Sequence, residues 1–126
     1  FCLMPDHAHF LLGGLDESSD QKRAVKFFRT HWNQTLKIAS PPANLQEQAF
    51  DHVLTGAERE RGAFESVVGY ILENPTRAAL VESTSEWPYL GSIVAGYPAL
   101  DPRQDEFYPL FWRIYDRLIN DAEVDD

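Results

Sequence analysis

The feature that most constrains the fold is an apolar segment that carries two histidines separated by one residue, His7 and His9. Residues 3–12 around them read as a β-strand that ends at a glycine pair. Side chains alternate faces along a strand, so both imidazoles project from one face, with backbones about 6–7 Å apart at a rise of about 3.3 Å per residue. Such a pair can bind one metal ion, and imidazole is a ligand for several divalent metals. The alternative is two partly exposed strand histidines that bind nothing.

A second informative segment is residues 64–81, where apolar residues recur at the spacing of a helix. Pro75 predicts that this helix stops just after Asn74. Tyr70 and Asn74 lie one turn apart, which places them on the same helix face. Tyrosine can supply a nucleophilic oxygen, and the asparagine amide can supply a carbonyl oxygen that binds a hard cation.

Several segments occur in the order and approximate spacing of a known family. They are Pro5-Asp6-His7-Ala8-His9-Phe10-Leu11-Leu12, then Phe50-Asp51-His52-Val53-Leu54, then Tyr70-Ile71-Leu72-Glu73-Asn74-Pro75-Thr76-Arg77-Ala78-Ala79-Leu80-Val81. This ordered set resembles the single-tyrosine HUH transposases, most closely the REP-associated tyrosine transposase branch. Residues 86–92, rich in Trp, Pro and Ser, resemble that branch's segment after the tyrosine helix, so the resemblance covers about residues 1–97.

The resemblance implies a metal-dependent nuclease and strand transferase that acts on single-stranded DNA near hairpins, as a homodimer. His7 and His9 match the metal ligands of the HUH motif, and Tyr70 matches the nucleophile. Asn74 matches a third metal-ligating amide one turn past the tyrosine. The expected cofactor is a divalent ion, Mg²⁺ or Mn²⁺, because histidine favours manganese and phosphate chemistry is compatible with either. His52 is expected to be a structural or substrate-side residue rather than a ligand.

The fold class implied by the resemblance is α+β, a ferredoxin-like antiparallel sheet with helices on one face. In the family the HUH strand follows a first strand and helix, so both elements are expected to be missing here. Residues 1–97 are assigned to an N-terminally incomplete HUH tyrosine transposase-like domain, and residues 98–126 to a C-terminal helix and acidic tail. Apolar periodicity predicts helices over residues 19–38, 58–74 and 107–119, and alternation predicts a second strand over residues 49–54.

The formal net charge of −9 has the wrong sign for a protein that neutralises DNA phosphates, but the charge is unevenly distributed. Basic residues concentrate in the predicted helix over residues 19–38, at Lys22, Arg23, Lys26, Arg29 and Lys37. We predict that Lys22, Lys26, Arg29 and Lys37 form a DNA-binding surface; the alternative is a solvated helix flank. Trp32 is predicted to be a core residue rather than a base-stacking one.

Composition indicates a cytoplasmic protein without a membrane partner. The single cysteine, Cys2, fits a reducing compartment, and no apolar run approaches the roughly 18 residues of a membrane span. The first residues also lack the positively charged leader of a signal peptide.

Two alternatives to an active transposase stay open. One is a catalytically inactive, truncated relic or a host-adapted DNA-binding protein. The other is an unrelated metal hydrolase that uses His7 and His9, which requires further His, Asp or Glu ligands.

Overall fold

The computed structural model describes residues 1–47, 50, 52–56, 60–94, 96–97 and 100–124. Within them the chain combines helices with a small antiparallel sheet. The elements in chain order are β1 (Cys2–Leu3), β2 (Ala8–His9), α1 (Gln21–Leu36), α2 (Arg61–Leu72), α3 (Asn74–Arg77), a 3₁₀ helix (Thr84–Glu86) and α4 (Phe107–Val124). They form two compact units, one of Phe1–Gly13 with Leu54–Asp126 and the other of Gly14–Val53. Among these helices, none is both long and apolar enough to cross a membrane.

The segment predicted as one strand over residues 3–12 is a tight hairpin, so that prediction was wrong. β1 and β2 pair antiparallel, with Cys2 opposite His9. The Met4 N–H donates a hydrogen bond of 2.8 Å to the carbonyl of His7 across the turn. The turn falls at Pro5 and the aspartate after it, because proline presets a turn dihedral and aspartate bonds locally to the backbone.

β1 is hydrogen-bonded on its other edge by the segment that follows the 3₁₀ helix. The Leu3 N–H donates to the carbonyl of Tyr89 at 2.8 Å, and Cys2 forms an isolated antiparallel bridge with Leu90. The Trp87 indole N–H donates to the carbonyl of Leu3 at 2.9 Å. The central strand therefore has hydrogen-bonding partners on both sides, as a buried strand requires.

The core of this unit lies where the hairpin meets the C-terminal end of α2. Cys2 is fully buried, and Ile71, Leu72 and Leu90 are nearly so. Residues paired across an antiparallel ladder point to the same face, so His9 shares the face of Cys2. The packing of this core therefore brings the histidine hairpin to the end of the tyrosine helix.

α4 packs along the first half of α2 through aromatic rings and an ion pair. Phe64 stacks on Phe111 with ring centroids 5.7 Å apart and meets Trp112 edge-on at 4.9 Å. Arg61 donates to both carboxylate oxygens of Asp116, at 2.7 and 2.8 Å. These contacts fix the position of α4 on the first half of α2. The helix predicted over residues 107–119 is thus present, and it continues to the end of α4.

The helix predicted over residues 58–74 is shorter than expected. Residues 58 and 59 lie outside the described residues, and α2 ends at Leu72. Pro75 lies in the first turn of the separate helix α3, where its missing N–H costs nothing. The prediction that Pro75 ends the helix just after Asn74 was therefore wrong: α2 ends at Leu72, and a new helix begins at Asn74 with the proline in its first turn.

In the other unit, α1 closely matches the helix predicted over residues 19–38. Asp20 caps its start by accepting hydrogen bonds from the N–H groups of Lys22 and Arg23, at 2.9 and 3.2 Å. No residue of α1 is buried. Trp32 is half-buried and stacks on Phe28 with ring centroids 5.7 Å apart, so its assignment to a buried core was wrong.

The second strand predicted over residues 49–54 falls partly outside the described residues, which omit Ala49 and Asp51. Phe50 and residues 52–54, which are described, form no strand. The end of the predicted acidic tail, Asp125 and Asp126, also lies outside the described residues.

Candidate metal and nucleophile site

The two histidines of the motif lie together, as predicted, although a hairpin rather than a long strand brings them there. Their ring centroids are 4.9 Å apart, with the planes at 84° in an edge-on arrangement. His9 belongs to β2, while the His7 carbonyl closes the turn that precedes it. The backbone of the hairpin therefore brings the two imidazoles next to each other.

Asp6 orients the first imidazole. The His7 Nδ1–H donates to the Asp6 carboxylate over 2.6 Å, a bond that lowers the pKa of Asp6. Because the carboxylate has no proton to donate, the neutral imidazole carries its proton on Nδ1 and its lone pair on Nε2. A carboxylate behind the ligating imidazole is the usual arrangement in metal sites. Sequence reasoning assigned no role to Asp6, although its place beside His7 was the available signal.

His9 is held in its neutral form. Burial lowers its pKa first, and repulsion from Arg77, and from the His7 ring when that ring is protonated, lowers it further. A neutral imidazole keeps the lone pair that a metal ion requires. His9 is therefore in the protonation state of a ligand at neutral pH.

Tyr70 is 63% exposed on the last turn of α2, although the next residue, Ile71, is buried in the core. The guanidinium of Arg77 lies 3.8 Å from the centroid of the Tyr70 ring. The same guanidinium donates to the Tyr70 backbone carbonyl over 2.6 Å. The phenol is thus accessible to a large substrate while one face of its ring is covered.

Asn74 is bound to the last turn of the tyrosine helix. Its amide nitrogen donates to the carbonyl of Ile71 at 2.8 Å and lies 3.4 Å from that of Tyr70. These bonds turn the amide nitrogen toward the helix and the amide oxygen away from it, as a metal ligand requires. Convergence of this oxygen on the two histidines stays a prediction.

Arg77 contacts the tyrosine and acts electrostatically on His9, and sequence reasoning missed it. Besides covering the Tyr70 ring, its charge is one of the three influences that lower the pKa of His9. It also forms an exposed ion pair with Glu73 at 3.4 Å. Arg77 lies seven residues after Tyr70, a spacing that places two residues of one continuous helix on the same face. The helix is interrupted at Glu73, so this spacing alone did not predict the contact between Arg77 and Tyr70.

The residues predicted to bind DNA lie in the unit formed by Gly14–Val53. Lys22 and Lys26 are exposed on α1, Arg29 is half-buried, and Lys37 is the C-cap residue of that helix. They form a solvent-facing row along α1 and its end. Their role as a DNA-binding surface stays a prediction.

Within the described residues, no group of three or more His, Cys, Asp or Glu side chains is arranged to hold a metal ion. The unrelated hydrolase considered above would need such a group. The site predicted from the motif uses two imidazoles and one amide, so it has a different composition.

No family model, no curated protein and no solved structure matches this chain significantly.

Proposed function

We propose that this protein is a transposase-like, metal-dependent endonuclease and strand transferase that acts on single-stranded DNA through Tyr70. The observation that carries the proposal is the position of Arg77. Its guanidinium covers the ring of the exposed Tyr70, and its charge also reaches His9. The hairpin also packs on Ile71, the residue after Tyr70, through Cys2, the strand partner of His9. These observations support a single catalytic site that contains Tyr70 and the histidine pair.

The residues that would hold the metal ion are His7 through Nε2, His9 and Asn74 through its amide oxygen. Three observations fit this donor set: the bond from His7 to Asp6, the lowered pKa of His9, and the orientation of the Asn74 amide. Mg²⁺ or Mn²⁺, when bound, would polarise a nonbridging phosphate oxygen and offset the charge that develops during displacement.

The chemistry assigned to Tyr70 is an in-line displacement at phosphorus. Its Oη forms a bond to the scissile phosphorus, and the bond from phosphorus to the 3′ oxygen breaks. The phenol gives up its proton to water, and the leaving 3′ oxygen takes up a proton from water. The products are a free 3′-hydroxyl and a 5′-phosphotyrosine. Because the covalent bond stores the energy of the phosphodiester, the DNA can be rejoined to another end without a nucleotide cofactor.

We extend the proposal to the fold and the assembly. The hairpin would belong to a ferredoxin-like antiparallel sheet with helices on one face, and the bonding of β1 on both edges supports a sheet wider than the hairpin. Cleaving and joining two hairpin-bearing DNA ends requires two tyrosines, which supports a homodimer. The proposed compartment is the cytoplasm.

The decisive test is a covalent adduct. Incubation of the protein and Mn²⁺ with a hairpin-bearing single strand labelled at its 3′ end should give a product that survives denaturing electrophoresis. Tyr70→Phe should abolish the adduct, while Tyr89→Phe, which alters another exposed tyrosine, should leave it intact. Absence of the adduct, or an adduct that persists in Tyr70→Phe, contradicts the catalytic proposal.

The metal assignment has its own test. Calorimetric titration of Mn²⁺ should show binding to the parent chain and to Tyr70→Phe, and its loss in His7→Ala. Retained affinity in His7→Ala would refute the assignment of this ligand.

A DNA-binding protein without catalysis is the second candidate, and the composition of α1 favours it. The helix carries Lys22, Arg23, Lys26 and Arg29 and no acidic residue, although the whole chain has a net charge of −9. DNA binding without any adduct would support this candidate.

A further inference from the structure

An exposed aromatic pair lies on α1, outside its apolar stripe. The stripe is formed by half-buried residues at helical spacing: Val25, Phe28, Trp32 and Leu36. Phe27 is not part of that stripe, and it is 65% exposed. A large apolar ring in this position adds nothing to the packing of the stripe, and its face is accessible to a ligand.

The pair has an ordered geometry. The centroids of the Phe27 and His31 rings are 4.0 Å apart, with the planes inclined at 35°. The His31 Nδ1–H donates to the carbonyl of Phe27 at 2.8 Å, since a carbonyl can only accept. This bond holds the imidazole against the phenyl ring. The exposed rings therefore form a surface that is organised before any ligand binds.

Two cations precede the pair on α1. Arg23 lies one helical turn before Phe27 on the same face, and Lys26 is its neighbour in sequence. Both are exposed, and α1 contains no acidic residue. In a chain with a net charge of −9, such a helix is a region suited to attract a polyanion.

We propose that Phe27 and His31, with Arg23 beside them, form a stacking platform for an unpaired base of single-stranded DNA. The aromatic rings contact the face of the base, while Arg23 and Lys26 contact the flanking phosphates. Aromatic stacking combined with cations along the backbone is the usual means of binding single strands without sequence preference. The platform rests on the proposed function for its choice of DNA as the partner.

The test measures binding separately from catalysis. Every variant also carries Tyr70→Phe and is assayed with a chelator, and the anisotropy of a fluorescent, unpaired oligothymidine is followed at several salt concentrations. Phe27→Leu should weaken binding by roughly five- to a hundred-fold, the range expected for loss of one stacked base, without changing the salt dependence. Phe27→Trp should restore it. Circular dichroism checks that α1 is retained.

Matched variants separate stacking from charge and from general apolarity. Phe50→Leu changes another exposed phenylalanine, 95% accessible, and should leave the affinity unchanged. Arg23→Gln should reduce the slope of log affinity against log salt by about 0.7, the value for one phosphate contact on a single strand.

Each outcome distinguishes the platform from the catalytic proposal. Equal affinities of Phe27→Leu and its parent, or an equal loss in Phe50→Leu, overturn the platform and leave catalysis by Tyr70 standing. If binding depends on Phe27 but the chain that keeps Tyr70 forms no covalent adduct, catalysis is overturned and the platform is supported. No binding of oligothymidine by the parent overturns the platform, and the adduct assay on the hairpin-bearing strand then decides catalysis by itself.

Discussion

Two exposed aromatic rings, Tyr70 at the end of α2 and Phe27 on α1, have almost equal accessibility, 63% and 65%, but different surroundings. Tyr70 directly precedes the buried Ile71 and lies under the guanidinium of Arg77. Phe27 lies on a helix without a buried residue, and its ring stacks on that of His31 one turn later. Exposure alone therefore does not distinguish the roles of the two rings.

The difference indicates what each role requires of the fold. A nucleophile must keep its position relative to metal ligands, because small misplacements are costly in rate. Rigid attachment to a core meets that need. A base-stacking residue needs only an accessible face and nearby cations, because stacking tolerates small displacements. A solvent-exposed helix is sufficient for that purpose.

The largest effect that tests this comparison is on stability. Leu72→Ala removes a side chain that is 7% exposed beside the site and should lower the free energy of unfolding by about 3 kcal/mol. Leu36→Ala on α1 removes a half-buried side chain and should cost about 1 kcal/mol, because less apolar surface returns to water. Urea unfolding measures both, and equal losses would contradict the contrast between the regions.

The next effect is on metal affinity. Asp6→Ala removes the hydrogen-bond acceptor of His7 and should weaken Mn²⁺ binding by about tenfold, the low end of the range for groups that orient a ligand. Asp16→Ala changes an exposed aspartate that bonds to Ser18 instead, so it serves as a control. Calorimetry that finds the same affinity for Asp6→Ala and the parent would remove Asp6 from the site.

A smaller effect is expected from the contact that secures Tyr70. Arg77→Lys keeps the charge but loses the planar group over the ring, and should lower the free energy of unfolding by about 1 kcal/mol. Glu73→Gln removes only the exposed ion pair with Arg77 and should change stability by less than about 0.5 kcal/mol. If thermal unfolding shows the larger loss in Glu73→Gln, the ion pair rather than the stacking secures Arg77.

The smallest effect is a pH dependence. The pKa of His9 is lowered in the folded chain from its ordinary value of 6.5, chiefly by burial. The folded state therefore binds fewer protons than the unfolded state, so the contribution of His9 to stability is present above pH 6.5 and is lost as pH falls through the folded pKa. Urea unfolding between pH 8 and 5 should show a shallower acid loss in His9→Gln than in the parent; parallel curves would contradict the burial of this imidazole.

Local patterns in the sequence predicted several parts of the molecule well. The apolar spacing and Asp20 located α1, and the motif spacing placed His7 near His9. Tyr70 and Asn74 were also correctly expected to be close, although a helix break lies between them. Each of these features depends on residues at most a few positions apart, whose geometry the backbone sets directly.

Predictions failed where local signals competed. The apolar residues of the first segment favoured one strand, but the turn tendency of Pro5 was stronger and produced a hairpin. The break after Leu72 was likewise missed, because proline is compatible both with ending a helix and with beginning one.

By itself the sequence determined the helical stripes, the basic character of α1 and the pairing of the two histidines, since these follow from backbone periodicity and side-chain chemistry. Only the tertiary structure decided that Cys2 would be buried against α2, that the charge of Arg77 would lower the pKa of His9, and that Phe27 would remain exposed. These outcomes depend on which residues far apart in the chain exclude water from one another, and no local pattern encodes that choice.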